Sequence, residues 1–517
     1  MTIVVMKDYR PPDPPVETID VEAVNSRKRQ SLYAPRIKIF PKRAAGFYRQ
    51  LKWWIMAVTL GIYWITPWIR WDRGAYAPDQ AVLVDLANRR FYFFFIEIWP
   101  QEFYYVAGLL IMAGLGLFLV TSVLGRAWCG YTCPQTVWTD LFIAVERMIE
   151  GDRNARMKLD KAPWTFEKLR KRVSVNVLWL LIGLCTGGAW IFYFADAPSL
   201  ARGLVTFEAP AIAYTTMAIL TATTFVFAGY MREQVCTYMC PWPRIQGAML
   251  DESSLIVTYN GWRGEPRSRH QKRAEAQGLP VGDCVDCNAC VAVCPMGIDI
   301  RDGEQLECIT CALCIDACND VMAKVDKPLG LISYTTLDDY QRSTQQAERL
   351  GRVEATKLQQ PFTWRKIFRP RTILYSALWM AVGIAMMVSL TMRDRLGLNI
   401  LPDRNPLFVT LADGSIRNGY TIKILNMQTV PQRFEIALVD LQGGSLWQAG
   451  EEDVGRSHLE VEAGADQVKE MRIFVRQARD AVRPGVQNFA LTARNLSTGE
   501  VSTETTEFHA PDPGAGK

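Results

Sequence analysis

CVDCNACVAVCPMGIDIRDGEQLECITCALCIDAC, residues 284–318, repeats one cysteine spacing twice: Cys284, Cys287, Cys290 and Cys294, then Cys308, Cys311, Cys314 and Cys318. A cubane iron–sulfur cluster needs four thiolates converging on one small body. Two-residue gaps let a tight turn present three of them, and in two-cluster proteins the fourth comes from the other run. The spacing therefore predicts a ferredoxin-like pair of [4Fe–4S] clusters, one on Cys284, Cys287, Cys290 and Cys318, the other on Cys308, Cys311, Cys314 and Cys294. CxxC pairs also suit tetrahedral zinc, but two CxxCxxCxxxC runs so close together disfavour it. Pro295 follows the first run as the pattern expects. Asn319 stands where a proline often closes the second, and is expected to alter the cluster's surroundings but not its ligation.

Outward from this run, the 517-residue chain separates into apolar and charged blocks, and all thirteen cysteines precede residue 372. Disulfides persist in oxidising compartments, whereas thiols in a reducing one more often bind metals or do redox chemistry. Five segments are apolar enough to span a bilayer: 53–69, 103–125, 173–195, 209–231 and 372–392. No cleavable signal is expected before them, because the first fifty residues are Pro-rich and basic without an apolar core. Lys and Arg crowd residues 126–172 and 232–369, while 196–208 carries only Arg202. Positive charge collects on the cytoplasmic side of membranes, so the N-terminus and these two basic regions should lie inside and the chain beyond Met392 outside. Arg70, Arg73, Arg89 and Arg90 fit this less well, although Trp64, Trp68, Trp71 and FYFFFIEIW suit an aromatic interfacial belt. The net charge of +5 is thereby accounted for without a nucleic acid partner.

The second and fourth segments each run into the same motif: CGYTCP with Cys129 and Cys133, and CTYMCP with Cys236 and Cys240. Residues four apart share one helix face, so both sulfurs of a pair can aim at a common object. Pro134 and Pro241 disfavour a continuing helix and place each pair at a break. Two spans, CxxxCP and a basic stretch occur twice, which reads as a degenerate repeat whose halves bring four thiols together. Four soft ligands suit Cu(I), with Met231 and Met239 as nearby thioethers. A dithiol–disulfide couple, a third metal cluster and plain packing of small apolar side chains are the other readings of these cysteines.

Cys185, between Gly183 and Gly187 in GLCTGG, reads as part of a small-residue helix contact. His270, His458 and His509 all fall outside the apolar segments, so bis-histidine haem ligation cannot be built. Glu97 is an ionisable group near the membrane that suits either a proton or quinol path or simple snorkelling. A charged helix is expected over 338–358. Beyond residue 392, YTIKIL, RFEIALVDL, VKEMRIFVRQ and QNFALTARNL alternate or run apolar over strand lengths between LQGG and RPGV turns, which predicts a cysteine-free β-sandwich with a docking or scaffolding role.

SLYAPRIKIFPKR, GRAWCGYTCPQTVWTDLF, VCTYMCPWPRIQ, the double cysteine run and RNPLFVTLADGSIRNGYTIKILN, taken in that order, resemble the cytochrome c oxidase accessory proteins of the CcoG, RdxA and FixG type. The resemblance covers nearly the whole chain. It implies a multi-domain inner-membrane protein: a cytoplasmic tail at 1–50, a four-span domain at 51–250, a cytoplasmic ferredoxin-like domain and linker helix at 251–370, a fifth span at 371–392 and a periplasmic immunoglobulin-like domain at 393–517. It implies a cupric reductase that supplies Cu(I) for cbb3-type oxidase assembly, with Cys129, Cys133, Cys236 and Cys240 holding copper and acting catalytically. Oxidase subunits or copper chaperones, membrane lipid, an electron donor of unknown identity and a second copy of the chain are the partners it suggests. Two other functions stay open: a NapH-like quinol dehydrogenase, and an assembly scaffold with structural clusters.

Overall fold

The computed structural model describes residues 37–74, 77–358, 367–428 and 430–511, with Ile19 and Val21. Most of the expected N-terminal tail lies outside the described residues. Among these the chain divides into two compact units, residues up to Ile69 with Val82–Ile384, and Arg70–Ala81 with the chain from Ala385.

The first unit opens with α1 (Phe47–Ile65), a three-stranded antiparallel sheet of β1 (Val82–Asp85), β2 (Arg90–Phe93) and β3 (Ile96–Ile98), and α2 (Tyr104–Leu124). There follow α3 (Ala127–Tyr131), α4 (Pro134–Glu150), α5 (Arg153–Lys161), α6 (Phe166–Thr186), α7 (Ala197–Thr206) and α8 (Ala211–Thr224), which passes into π-helical turns at Phe225–Met231 and Val235–Met239. After α9 (Trp242–Met249), β4 (Ile256–Tyr259) pairs across the cysteine-rich segment with β5 (Ile332–Thr335). Between them lie α10 (Gly261–Gly264), α11 (Gln271–Ala276), α12 (Ala289–Val293) and α13 (Leu313–Lys324); α14 (Leu337–Leu350), α15 (Arg352–Leu358) and α16 (Pro370–Thr391) complete the order. The charged helix expected over 338–358 is two helices, broken at Gly351, whose φ of 84° lies in the left-handed region.

Among the described residues, four helical segments are long and apolar enough to cross a membrane: Pro100–Leu124, Phe166–Tyr193, Ala211–Met231 and Pro370–Thr391. The fifth expected span, 53–69, is not among them. Arg49 and Lys52 in the first turns of α1 turn inward to Asp140 of α4, at 2.8 and 3.7 Å, and the apolar remainder from Trp53 to Ile65 is about 20 Å long, short of a ~30 Å hydrocarbon core. Trp54, Val58, Ile62 and Ile65 still form an exposed apolar stripe along α1. The aromatic run expected as an interfacial belt pairs as β2 and β3, with Tyr92 opposite Glu97. Glu97 is buried and bonded to Arg90 at 3.3 Å.

α6 and α8 meet through small residues, as expected: a Cβ on Gly183 would stand 3.3 Å from the Thr221 carbonyl oxygen, and one on Gly187 2.9 Å from that of Leu220. Cys185, between these glycines, is exposed and takes no part in the contact.

The second unit is a β-sandwich of β6 (Leu396–Pro402), β7 (Val409–Thr410), β8 (Ile416–Asn426), β9 (Gln432–Val439), β10 (Gly444–Gln448), β11 (His458–Ala463), β12 (Gln467–Gln477), β13 (Gly485–Asn495) and β14 (Val501–Ala510). One sheet runs β10-β12-β8-β6 with β7 beside β8, the other β11-β9-β13-β14. Alternation in β8 and β12 sends Tyr420, Ile422, Ile424, Ile473 and Val475 inward against Phe434, Phe489, Leu491 and Phe508. With no cysteine in the unit, this apolar core and the strand ladders hold it together.

Candidate functional site

The two cysteine runs fold into matching loops. Asp286 and Asn288 flank Cys287 with φ of 50° and 58°, and Thr310 and Ala312 flank Cys311 with 55° and 60°. Such left-handed steps turn successive backbone N–H groups toward one concavity, the arrangement that receives anions and iron–sulfur clusters. The backbone N–H of Ala289 faces the Cys287 sulfur, and that of Thr310 faces Cys308. One enclosed cavity is lined by Cys284, Cys287, Cys290 and Cys318, the other by Cys294, Cys308, Cys311 and Cys314, with Cys290 at its edge. The exchange comes from the helices: α12 ends at Cys294 beside the second loop, while α13 carries Cys318 back to the first. No three described His, Cys, Asp or Glu side chains stand close enough to share one metal ion. Four sulfurs around an apolar, amide-lined hollow fit a cubane. Asn319 accepts a hydrogen bond from the Gly330 N–H at 2.9 Å, which fixes the loop carrying Leu331 and Ile332 over the first cavity.

The CxxxCP pairs sit at helix breaks, as their prolines predict. α2 stops at Gly125 (φ 58°), where a Cβ would strike the Leu255 carbonyl. Cys129 lies in α3, and Cys133 precedes Pro134, the first residue of α4. Cys236 lies in a π-helical turn that Cys240 and Pro241 end. The four thiols come within electrostatic reach of one another: Cys133 and Cys240 oppose ionisation of Cys129, and all three oppose that of Cys236. Burial first, and these neighbours second, push Cys129 up to about 11 and Cys236 up to about 12. The Cys129 thiol donates to Gln246 Oε1 at 3.0 Å, and Gln246 Nε2 donates to Thr121 at 3.2 Å.

Two of these thiols pack directly on the second cysteine loop. Cys129 and Cys236 share one apolar core with Cys294, Cys308, Cys311 and Cys314 around Met296 and Ile309. Gly130 is pressed against the loop backbone, and the Tyr131 hydroxyl donates to the Cys311 carbonyl at 3.2 Å while Tyr334 holds Thr310 at 2.7 Å. Arg126 is 5% exposed, bonds the Leu306 carbonyl and has no carboxylate partner among the described residues. Its charge favours the thiolate forms of both Cys129 and Cys308.

Buried ion pairs brace the loops. Glu146 bonds Arg232 at 2.5 Å and also Arg156, and Asp140 holds Arg49 and Lys52. Burial pushes the Asp140 carboxyl up, but Lys52 and Arg49 outweigh it and hold it below the usual carboxylate range. Arg126, Gln246, Asp140 and Glu146 went unnoticed in the sequence, where they are ordinary polar residues in basic loops. Only the fold reveals that they are buried.

Similarity to known proteins follows the same layout. Family models match residues 231–337 as a 4Fe-4S dicluster domain, 106–149 as a 4Fe-4S binding domain, and 386–511 as the IG-like fold at the C-terminus of FixG. The nitrogen fixation protein FixG of Rhizobium meliloti is 57% identical over 96% of this chain and 97% of its own. Proteins RdxB and RdxA of Cereibacter sphaeroides are 60% and 56% identical, each over 79% of this chain and over 83% and 84% of their own.

Proposed function

This chain belongs to the CcoG/FixG/RdxA family of iron–sulfur electron-transfer proteins, and from that footing we propose that it reduces Cu(II) to Cu(I) at Cys129, Cys133, Cys236 and Cys240. The observation that supports the reading is the core that Cys129 and Cys236 share with the Cys308–Cys311–Cys314 loop, where Gly130 lies against the backbone of Ile309 and Cys311. Cys284, Cys287, Cys290 and Cys318 hold one [4Fe–4S] cluster and Cys294, Cys308, Cys311 and Cys314 the other; when bound, they supply one-electron redox chemistry. The chain's own part is selective. Thiolates favour the soft Cu(I) product over Cu(II). The apolar core excludes water, Arg126 offsets the charge of the thiolates, and the ion pairs of Asp140 and Glu146 fix both loops.

The protein lies in the inner membrane with the thiols and clusters on the cytoplasmic side. Its sandwich is periplasmic and docks subunits of a cbb3-type oxidase or a copper chaperone, and the Cu(I) serves that oxidase's assembly. Replacing all four CxxxCP cysteines by Ser removes copper binding and leaves both cluster signals in low-temperature EPR. Stoichiometric copper retained by that variant overturns the assignment. A second reading, that the quartet holds a third [4Fe–4S] cluster, is favoured by the 4Fe-4S model matched to residues 106–149. That match contains only Cys129 and Cys133, so such a cluster would need Cys236 and Cys240 as well. Iron analysis separates the two: about eight iron atoms per chain for copper at the thiols, about twelve for a third cubane.

A further inference from the structure

Each cluster cavity has a buried guanidinium near it, and the two are balanced differently. Arg301 lines the cavity of Cys284, Cys287, Cys290 and Cys318. Its side chain is 7% exposed and meets Asp299 and Asp286, both at 2.7 Å, and the Asn288 side-chain oxygen at 2.8 Å. Asp286 is shared with the exposed Arg269 at 3.1 Å. Arg263, the buried cation that acts on Cys318, is held by Asp283 at 2.5 Å, where Lys327 adds a second charge at 3.4 Å. Each of these cations has a carboxylate at hand. On the other side, no charged residue lines the cavity of Cys294, Cys308, Cys311 and Cys314. Arg126 stands beside it, bonded to the carbonyl of Leu306 two residues before Cys308, and its Nε has no hydrogen-bond partner among the described residues. Its charge acts on Cys308, Cys129 and Cys236. Glu304, which opposes it at Cys308, is exposed and screened by water. Asp316 is buried but engaged by the first turn of α1, accepting from the N–H groups of Tyr48 at 3.2 Å and Arg49 at 2.7 Å.

We propose that the cluster on Cys294, Cys308, Cys311 and Cys314 has the higher reduction potential, raised by the uncompensated Arg126, and the cluster on Cys284, Cys287, Cys290 and Cys318 the lower, because Asp286 and Asp299 neutralise Arg301. A nearby cation favours the reduced, more negative cluster. The other levers on potential are close to even. Both cavities hold about 20 Å³, so water enters them alike. Backbone N–H groups of Ala289 and Ile332 face sulfurs of the first, and those of Thr310, Met296 and Ile298 face sulfurs of the second. Cys290 lines both cavities, so the clusters are neighbours. The gradient then points toward the thiol loops: one electron leaves the reduced first cluster, which is oxidised, and reduces the second, with no bond or proton exchanged. The order of potentials rests on the two-cluster assignment alone; only the electron's onward destination rests on the reductase reading.

The test is an anaerobic redox titration of the full chain with its clusters, followed by EPR without copper. Two waves are expected. Arg126→Gln should shift the upper wave to lower potential by about tenfold in the reduced-to-oxidised ratio, which is about 59 mV for a one-electron couple, and leave the lower wave in place. Arg126→Lys, which keeps the charge and loses the planar fork, should hold the upper wave near its wild-type position. Asp299→Asn leaves Arg301 with one shared carboxylate and should raise the lower wave by a similar factor. Unchanged iron content shows that a variant has kept its clusters; if Arg126→Gln loses iron, Asp299→Asn decides. Coincident waves in wild type, Arg126→Lys shifted as far as Arg126→Gln, or a lower wave unmoved in Asp299→Asn would overturn the proposal. Copper is absent throughout, so a failure of the copper reading leaves these outcomes as they are.

Discussion

Gly130→Ala adds a single methyl where the thiol loop meets the cluster loop. Its Cβ would stand 2.6 Å from the Ile309 carbonyl oxygen and 3.0 and 3.1 Å from Cα and N of Cys311. Ordinary contact begins at 3.4 Å, so the two backbones must part by about 0.8 Å (3.4 − 2.6). No flexible side chain lies in the way to yield. Overpacking of this kind costs about 1–3 kcal/mol, against which alanine's better helix propensity in α3 returns at most about 1. The expected result is a loss of about 1–2 kcal/mol in stability, with a changed EPR spectrum for the cluster on Cys294, Cys308, Cys311 and Cys314 and no change for its neighbour. Gly61→Ala, with nothing within 4 Å of the new Cβ, is the control: it should leave both cluster spectra unchanged and raise stability by at most about 1 kcal/mol through helix propensity. Identical spectra and stability for Gly130→Ala would refute direct packing of the CxxxCP loop on the cluster loop.

Other perturbations read other parts of the site. Asp140→Asn leaves Arg49 and Lys52 buried without their counter-ion and should cost about 3–5 kcal/mol at pH 7 in denaturant titration. Because the folded state holds Asp140 below its ordinary value, its contribution is complete above the unfolded pKa of about 3.9 and lost as pH falls through the folded one, so the variant should show a flatter acid limb. Arg126→Gln removes the cation beside Cys129 and Cys308. Copper uptake should need higher pH, since the Cys129 thiol rises further, and the cluster nearer Cys308 should become harder to reduce in a redox titration. Ile422→Ala empties part of the sandwich core and should destabilise that unit by about 2–5 kcal/mol in a melting experiment, with both cluster spectra unchanged.

The eight cysteines were legible because cluster ligation imposes a spacing that little else in a protein imposes. The CxxxCP breaks were legible because proline cannot continue a helix, and β8 and β12 because one buried sheet face forces alternation. α1 was legible in part. Its apolar length is visible from Trp53 onward, but the end of the helix at Ile65 and the burial of Arg49 and Lys52 against Asp140, nearly ninety residues away, are not. The strand pairing of the FYFFFIEIW run was not legible, since aromatic residues suit both interfaces and strands and the pairing depends on the turn between them. Gln246, Arg126 and the Glu146 pairs depend wholly on contacts between distant segments, and no local pattern announces a buried charge.

The most direct measurement of the central claim is an anaerobic titration of dithionite-reduced, desalted protein with Cu(II), following cluster absorption and Cu(I) together. The account predicts reoxidation complete at about one Cu(II) per cluster, with Cu(I) retained by the protein, and no fast reaction when the four CxxxCP cysteines are Ser. Clusters that stay reduced in the presence of Cu(II), or that are oxidised equally fast in the Ser variant, would contradict it.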